Sequence, residues 1–171
     1  MSITWKASED VVDILNGLKF SHHPHLEQAK FVIAFNDSKP FKKNRFNWGK
    51  VSKFSTFNKL WQGEQHDFCV VLCSDIWQEF LDDHQRKAWL DLQLCRCKVE
   101  YIPETIVEGK KKKVVKDEWG FTKYTEEIKL DDNGNPKWFV TPLDLDVACE
   151  NIKRYGFWCD ALDGIKSVLE T

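Results

Sequence analysis

The sequence predicts an α+β fold, a single domain in which a small mixed sheet packs on a central helix at residues 83–97. Residues 88–97 place apolar groups on nearly every side of that helix, the pattern of a helix that passes through a core. A chain of 171 residues that is 42% hydrophobic is the size of one domain and can bury such a core. Runs rich in β-branched and aromatic residues predict the strands, at 30–35, 48–51, 68–73 and 98–102.

The elements before the central helix are predicted from caps and composition. Ser8-Glu9-Asp10 is predicted to begin a helix, since acidic residues suit the N-terminal end of the helix dipole. We expect this helix to end near Lys19. Pro24 breaks helical spacing within His22-His23-Pro24-His25, which favours a structural loop over a metal cluster. The strand at 30–35 is expected to be central or nearly so, Trp48–Val51 an edge strand, and the apolar run 67–73 a buried strand.

The region after the helix is predicted to form hairpins and a helical C-terminal segment. Turn signals at 109–113 and 132–136 bracket strand-like runs, so residues 103–140 are expected to add one or two projecting hairpins. A helix then follows Thr141–Asp144 and ends at Tyr155-Gly156, and a last helix is expected at 161–169.

Composition excludes several classes of protein. There is no apolar run near 18 residues and no secretory leader at the N-terminus, so we expect no membrane contact and a cytoplasmic location. Without a leader, the six cysteines are expected to be reduced. Neither Cys69 with Cys73 nor Cys95 with Cys97 has the spacing to chelate one ion, so we predict no metal and no cofactor.

Two segments are candidate binding surfaces. Residues 38–63 contain seven basic residues, interleaved with aromatic residues, and no acidic residue. This composition suits a nucleic-acid groove. Alternatively, the segment contains an edge strand whose lysines are merely solvated. The hairpin segment 110–124 could dock on an acidic partner or nucleic acid, or merely cover a sheet edge. The candidate residues are Lys42, Lys43, Arg45 and Trp48 in the first segment and Lys110, Lys111, Lys112, Lys113, Trp119, Phe121 and Tyr124 in the second.

Scattered residues over most of the chain match one family pattern. They are His23-Pro24-His25-Leu26, Trp77, Leu81, Asp82, Gln85-Arg86, Ala88, Leu90-Asp91, Leu94-Cys95, Cys97, Pro142, Asp144 and Arg154-Tyr155-Gly156-Phe157-Trp158. With these residues the chain resembles the phage metallopeptidase family, zinc enzymes of the H-E-x-x-H type. The resemblance implies a zincin-like fold.

The same resemblance implies that the zinc site has been lost. The two zinc histidines fall on Leu92 and Arg96, the general-base glutamate on Gln93, and the third histidine on Leu143. We expect the Arg96 charge to pair with Asp144, or else with Asp91, while Leu92 and Leu143 exclude water.

These substitutions predict that the chain is not an enzyme. We expect a phage-encoded binding protein that inhibits or sequesters a host protein or protein–nucleic acid complex, such as a component of host defence, in the host cytoplasm. The alternatives are a nucleic-acid-binding protein and a metallopeptidase-like enzyme with a relocated site. The oligomeric state is left open.

Overall fold

The computed structural model describes residues 3–37, 39, 41–42, 45–54, 66–108, 111–159 and 162. The strands are β1 (Thr4–Lys6), β2 (Phe31–Asn36), β3 (Phe41–Lys42), β4 (Arg45–Phe46), β5 (Gly49–Lys53), β6 (Phe68–Cys73), β7 (Cys97–Val99), β8 (Tyr101–Pro103), β9 (Thr105–Glu108), β10 (Lys111–Val114), β11 (Tyr124–Ile128) and β12 (Trp138–Val140). The α-helices are α1 (Glu9–His22), α2 (Asp83–Arg96) and α3 (Leu145–Tyr155), with a 3-10 turn at Pro24–Leu26 and a π-helical turn at Ile76–Phe80. The α+β class predicted from sequence is confirmed.

Contacts between Cα atoms divide the chain into two compact units, residues 1–98 with 140–171 and residues 99–139. The second unit corresponds closely to the hairpin region predicted at 103–140. The prediction that the whole chain is one domain stays a prediction.

The first unit is built on a mixed sheet in the order β1-β2-β6-β5. Strands β2 and β6 are parallel, and the outer strands β1 and β5 are antiparallel to their neighbours. The inner strand β6 buries Phe68, Val70 and Leu72 completely, as its apolar sequence predicts. The predicted edge position of β5 is confirmed in the described sheet. Strand β1 was not predicted, because Thr4–Lys6 is too short to show periodicity.

Helix α2 crosses the core of this unit. It begins at a capping box, in which the Asp82 carboxylate accepts from the Gln85 backbone N–H at 2.7 Å and the Gln85 side chain accepts from the Asp82 N–H at 3.3 Å. Every residue from Ala88 to Cys95 is buried, and the helix packs against α1 and α3. The predicted central helix is therefore confirmed and ends one residue early.

The second unit consists of paired strands and tight turns. Strands β9 and β10 form one antiparallel pair and β8 and β11 another. The strand predicted at 98–102 is two strands, β7 and β8, which are interrupted at Glu100.

The helix predicted at 161–169 lies outside the described residues, apart from Leu162. None of the helices in the described ranges has the length and apolar character that a membrane crossing requires.

Candidate functional site: the central helix and its buried polar cluster

A fully buried carboxylate, Asp91 on α2, is the centre of a polar cluster in the first unit. His23 donates from Nε2 to Oδ1 at 2.8 Å, and Asn151 donates from Nδ2 to Oδ2 at 2.8 Å. Arg154 donates to Oδ2 from Nε at 3.1 Å and from Nη2 at 2.9 Å. The cluster thus joins the loop after α1, the central helix and α3 through one side chain.

The remaining members of the cluster support these contacts. Trp158 donates from Nε1 to Asn151 Oδ1 at 2.7 Å, and Asn151 also donates to the Ala88 carbonyl at 2.9 Å. This fixes the amide of Asn151, whose oxygen accepts from the indole while its nitrogen faces the carboxylate. In the cluster, which consists of His23, Asp91, Cys95, Asn151, Arg154 and Trp158, each side chain has a partner.

The cluster favours an ionised carboxylate. Burial alone would raise the pKa of Asp91, but hydrogen bonds from His23, Arg154 and Asn151 outweigh burial and lower the pKa below its usual value. The ion pair with Arg154 neutralises the charge inside the core. A buried carboxylate is stable only with such partners.

Three atoms of this cluster could serve as metal donors. His23, Asp91 and Cys95 offer an imidazole nitrogen, a carboxylate oxygen and a sulfur within 4.8 Å of one another. However, Arg154 Nη2 lies 2.9 Å from both Asp91 Oδ2 and Cys95 Sγ, so a cation already lies between them.

Burial, with the charge of Asp91, raises the pKa of the Cys95 thiol to about 12. Because the Arg154 guanidinium lies between two of the three donor atoms, the donor set as arranged does not fit a zinc ion. That the protein holds no metal stays a prediction.

Two of the four positions that the resemblance assigns to the lost zinc site, Gln93 and Arg96, contact each other. Leu92 and Gln93 are buried, and Arg96 is half-buried. Arg96 donates from Nη1 to Gln93 Oε1 at 3.0 Å and from Nε to the Thr141 carbonyl at 3.1 Å. Thr141 in turn donates to the Arg96 carbonyl from its backbone N–H at 2.8 Å and its hydroxyl at 3.2 Å.

The predicted ion pair between Arg96 and Asp144 is wrong. The Asp144 carboxylate is the N-cap of α3 and accepts from the Val147 N–H at 3.0 Å. Arg96 does join α2 to the segment before α3, but through the Thr141 carbonyl. Asp91, the alternative partner, is bound by Arg154 instead, and Leu143 is 54% exposed and does not exclude water.

A comparison with protein families identifies the chain. The model of the family described as "putative phage metallopeptidase" matches residues 3–168, almost the whole sequence. The chain belongs to this family. Comparison with curated proteins and with solved structures gave no match.

Five members of the cluster, His23, Asp91, Cys95, Arg154 and Trp158, are among the residues that carry the family resemblance in the sequence. The structure gives each of them a hydrogen bond within the cluster. The resemblance places the lost zinc site at other positions, and the loss of that site stays a prediction.

The other candidate binding residues fall in separate parts of the chain. Lys43 and Lys110 lie outside the described residues, while Lys42 and Arg45 are paired in the two-residue strands β3 and β4. Trp48 is half-buried with its ring edge-to-face to Trp158, at 5.7 Å between centroids. In the second unit Lys111 lies in β10, and the exposed side chains are those of Lys112, Lys113, Trp119, Phe121 and Tyr124.

The role of Asp91 and its partners was not predicted from the sequence. One signal was available, because a carboxylate within a helix segment predicted to be buried all round must have partners. Nothing in the spacing of His23, Asn151 and Arg154 identifies them as those partners, since they are 60 or more residues from Asp91 along the chain.

Proposed function

We propose that the chain is a non-catalytic member of the phage metallopeptidase family that acts by binding a partner macromolecule. The observation that supports this most strongly is the hydrogen bond between Arg96 and Gln93. The resemblance places these residues at the positions of the second zinc histidine and the general base. A guanidinium at the metal position repels a dication. A glutamine amide cannot take the proton of a metal-bound water at neutral pH.

The retained frame supports the same proposal. Asp91, Arg154 and the capping box of α2 hold the helices together, while the resemblance implies that the side chains that would perform hydrolysis are replaced. A scaffold kept without its reactive groups is expected when a protein functions through its surface.

The phage origin of the family suggests the partner. We propose that the partner is a host protein or protein–nucleic acid complex in the host cytoplasm, which the phage protein inhibits or sequesters. Direct nucleic-acid binding is a second candidate, favoured by the seven basic residues without an acidic one at 38–63. Reversing the charges of Lys42, Lys43 and Arg45 should then abolish binding of a labelled DNA or RNA oligonucleotide and its salt dependence.

The non-catalytic proposal is tested by elemental analysis and reconstruction. We expect the purified protein to contain far less than one zinc per chain and to cleave no peptide substrate. The reconstructed variant, which combines Leu92→His, Gln93→Glu, Arg96→His and Leu143→His, should gain a zinc ion, because it restores the donors on the retained frame. Stoichiometric zinc or peptidase activity in the unmodified protein would overturn the proposal.

A metallopeptidase-like enzyme with a relocated site is the third candidate. It is favoured by the donor atoms of His23, Asp91 and Cys95. On this alternative the unmodified protein contains about one zinc per chain, and Cys95→Ser removes it without unfolding the chain. Arg154→Gln would strengthen metal binding at the same position, because it removes the competing cation.

A further inference from the structure

Two turns of the second unit share one backbone design. In the first, Asp117 accepts through Oδ1 from the N–H groups of Trp119 at 2.9 Å and Phe121 at 2.8 Å, and Gly120 has φ +85°. In the second, Asp131 accepts in the same way from Asn133 and Asn135, both at 2.9 Å, and Gly134 has φ +78°. Each turn is flanked by one antiparallel bridge, Lys116 with Thr122 and Leu130 with Pro136.

The shared design shows which side chains the turn requires. It uses the aspartate carboxylate at the first position, a glycine at the fourth, and only backbone N–H groups at the third and fifth. The polar turn has asparagines at the third and fifth positions. The aromatic turn has Trp119 and Phe121 at these positions, and the two residues are 77% and 71% exposed, respectively. Neither the turn geometry nor a core therefore accounts for the two aromatic side chains.

The charge around the aromatic turn is positive, although the unit as a whole is not. Residues 110–124 contain six lysines and two acidic residues, whereas the rest of 99–139 contains two lysines and seven acidic residues. Of the six lysines in 110–124, Lys112, Lys113, Lys116 and Lys123 are exposed. One of the two acidic residues, Asp117, is engaged by the turn itself. Such a surface is complementary to carboxylates on a partner.

The apolar residues nearby favour protein over nucleic acid as that partner. Ile106, Val107 and Val114 on the β9–β10 hairpin and Tyr124 on β11 are also exposed, and aliphatic side chains gain little from bases or phosphates. The nine acidic residues of 99–139 against eight lysines also give no net attraction for a polyanion.

We propose that the aromatic turn, Asp117–Phe121, is the docking site for a protein partner, whose apolar pocket receives Trp119 and Phe121 and whose acidic rim faces Lys112, Lys116 and Lys123. The turn fixes the backbone of both aromatic residues before binding, so little backbone conformational entropy is lost on docking. Tryptophan in such a pocket is a typical interface anchor. This inference rests on the proposed binding function and specifies its surface.

The test exchanges the side chains of the two turns in the full chain. W119N/F121N gives the aromatic turn the side chains of the polar turn, and adding N133W/N135F moves the aromatic pair to the polar turn. Each protein is used to capture proteins from nuclease-treated bacterial lysate, and the protein captured most selectively by the unmodified chain is purified for affinity measurements. Thermal unfolding and circular dichroism check that each variant folds like the parent.

We expect W119N/F121N to weaken binding of the purified protein by about 30-fold or more, and the transplanted pair not to restore it. K112E/K116E/K123E should slow association and reduce its salt dependence. The ¹⁹F resonance of 5-fluorotryptophan at Trp119, assigned by its loss in W119F, should shift on binding.

Four results would overturn the proposal. They are the absence of any protein with Trp119-dependent binding, restoration by the transplanted pair, Trp119-dependent binding of a labelled oligonucleotide, and Trp119-dependent self-association in sedimentation velocity. None of these measurements depends on zinc content or peptidase activity. The docking inference can therefore fail while the chain remains non-catalytic.

Discussion

At the scale of single residues, Asp91 and Arg154 form an ion pair that joins α2 to α3, with its carboxylate fully buried. Asp91→Ala leaves the Arg154 guanidinium without its carboxylate, and Arg154→Ala leaves the buried carboxylate without its cation. We expect each substitution to lower the free energy of unfolding by about 3–5 kcal/mol. Together they should be less than additive by about 0.5–3 kcal/mol in denaturant titrations.

A matched control is the exposed ion pair of Arg86 with Asp83 on the same helix. Asp83→Ala should change the free energy of unfolding by no more than about 0.5 kcal/mol, because an exposed pair is screened by water. Equal effects of Asp83→Ala and Asp91→Ala would show that the Asp91 cluster does not stabilise the fold.

The lowered pKa of Asp91 predicts how its contribution varies with pH. Because the pKa is lower in the folded chain than the ordinary value near 3.9, the contribution is complete above about pH 4 and is lost as the pH falls through the folded value. The difference in unfolding free energy between the unmodified chain and Asp91→Asn should therefore shrink on acidification. A difference that stays constant into strong acid would contradict this assignment.

At the scale of elements, two glycines have opposite requirements. Gly49 begins β5 at φ +120°, and a Cβ there would lie 2.0 Å from the Val71 carbonyl oxygen in β6. Gly49→Ala should destabilise the chain by at least about 3 kcal/mol. Gly17 is exposed within α1 and has nothing within 4 Å of an added Cβ. Gly17→Ala should therefore stabilise the chain by about 0.5–1 kcal/mol. Thermal unfolding of both variants tests these two predictions. An unchanged melting temperature in Gly49→Ala would mean that β5 does not approach β6 so closely.

The elements that were predicted correctly carry strong local signals. Strand β6 is a continuous apolar run, and α2 combines the Asp82 capping box with buried residues on every side. The contacts of the site were not predicted, because a hydrogen bond between Asp91 and Arg154 depends on tertiary packing. Local sequence placed Arg96 correctly in the helix but not its partner, since the Thr141 carbonyl is a backbone atom and has no sequence signature.

At the scale of the whole molecule, the proposed function predicts that stability does not depend on metal. We expect the melting temperature to be unchanged by a zinc chelator, since Asp91, His23 and Arg154 join the helices through direct contacts. The reconstructed variant, with its four restored zinc-site side chains, is the control and should melt lower with the chelator. A large decrease for the unmodified chain would identify a structural metal.

The proposed function also gives the Asp91 cluster a consequence for how the protein would be produced. A domain closed by a metal must acquire an ion from the cell after synthesis, and its yield is limited by how much of that ion the cell can supply. Here the atoms that join the three segments are part of the polypeptide, so every completed chain already carries them. On the proposed function, a rapid burst of translation would yield folded molecules at the rate of synthesis, whatever the metal content of the cell.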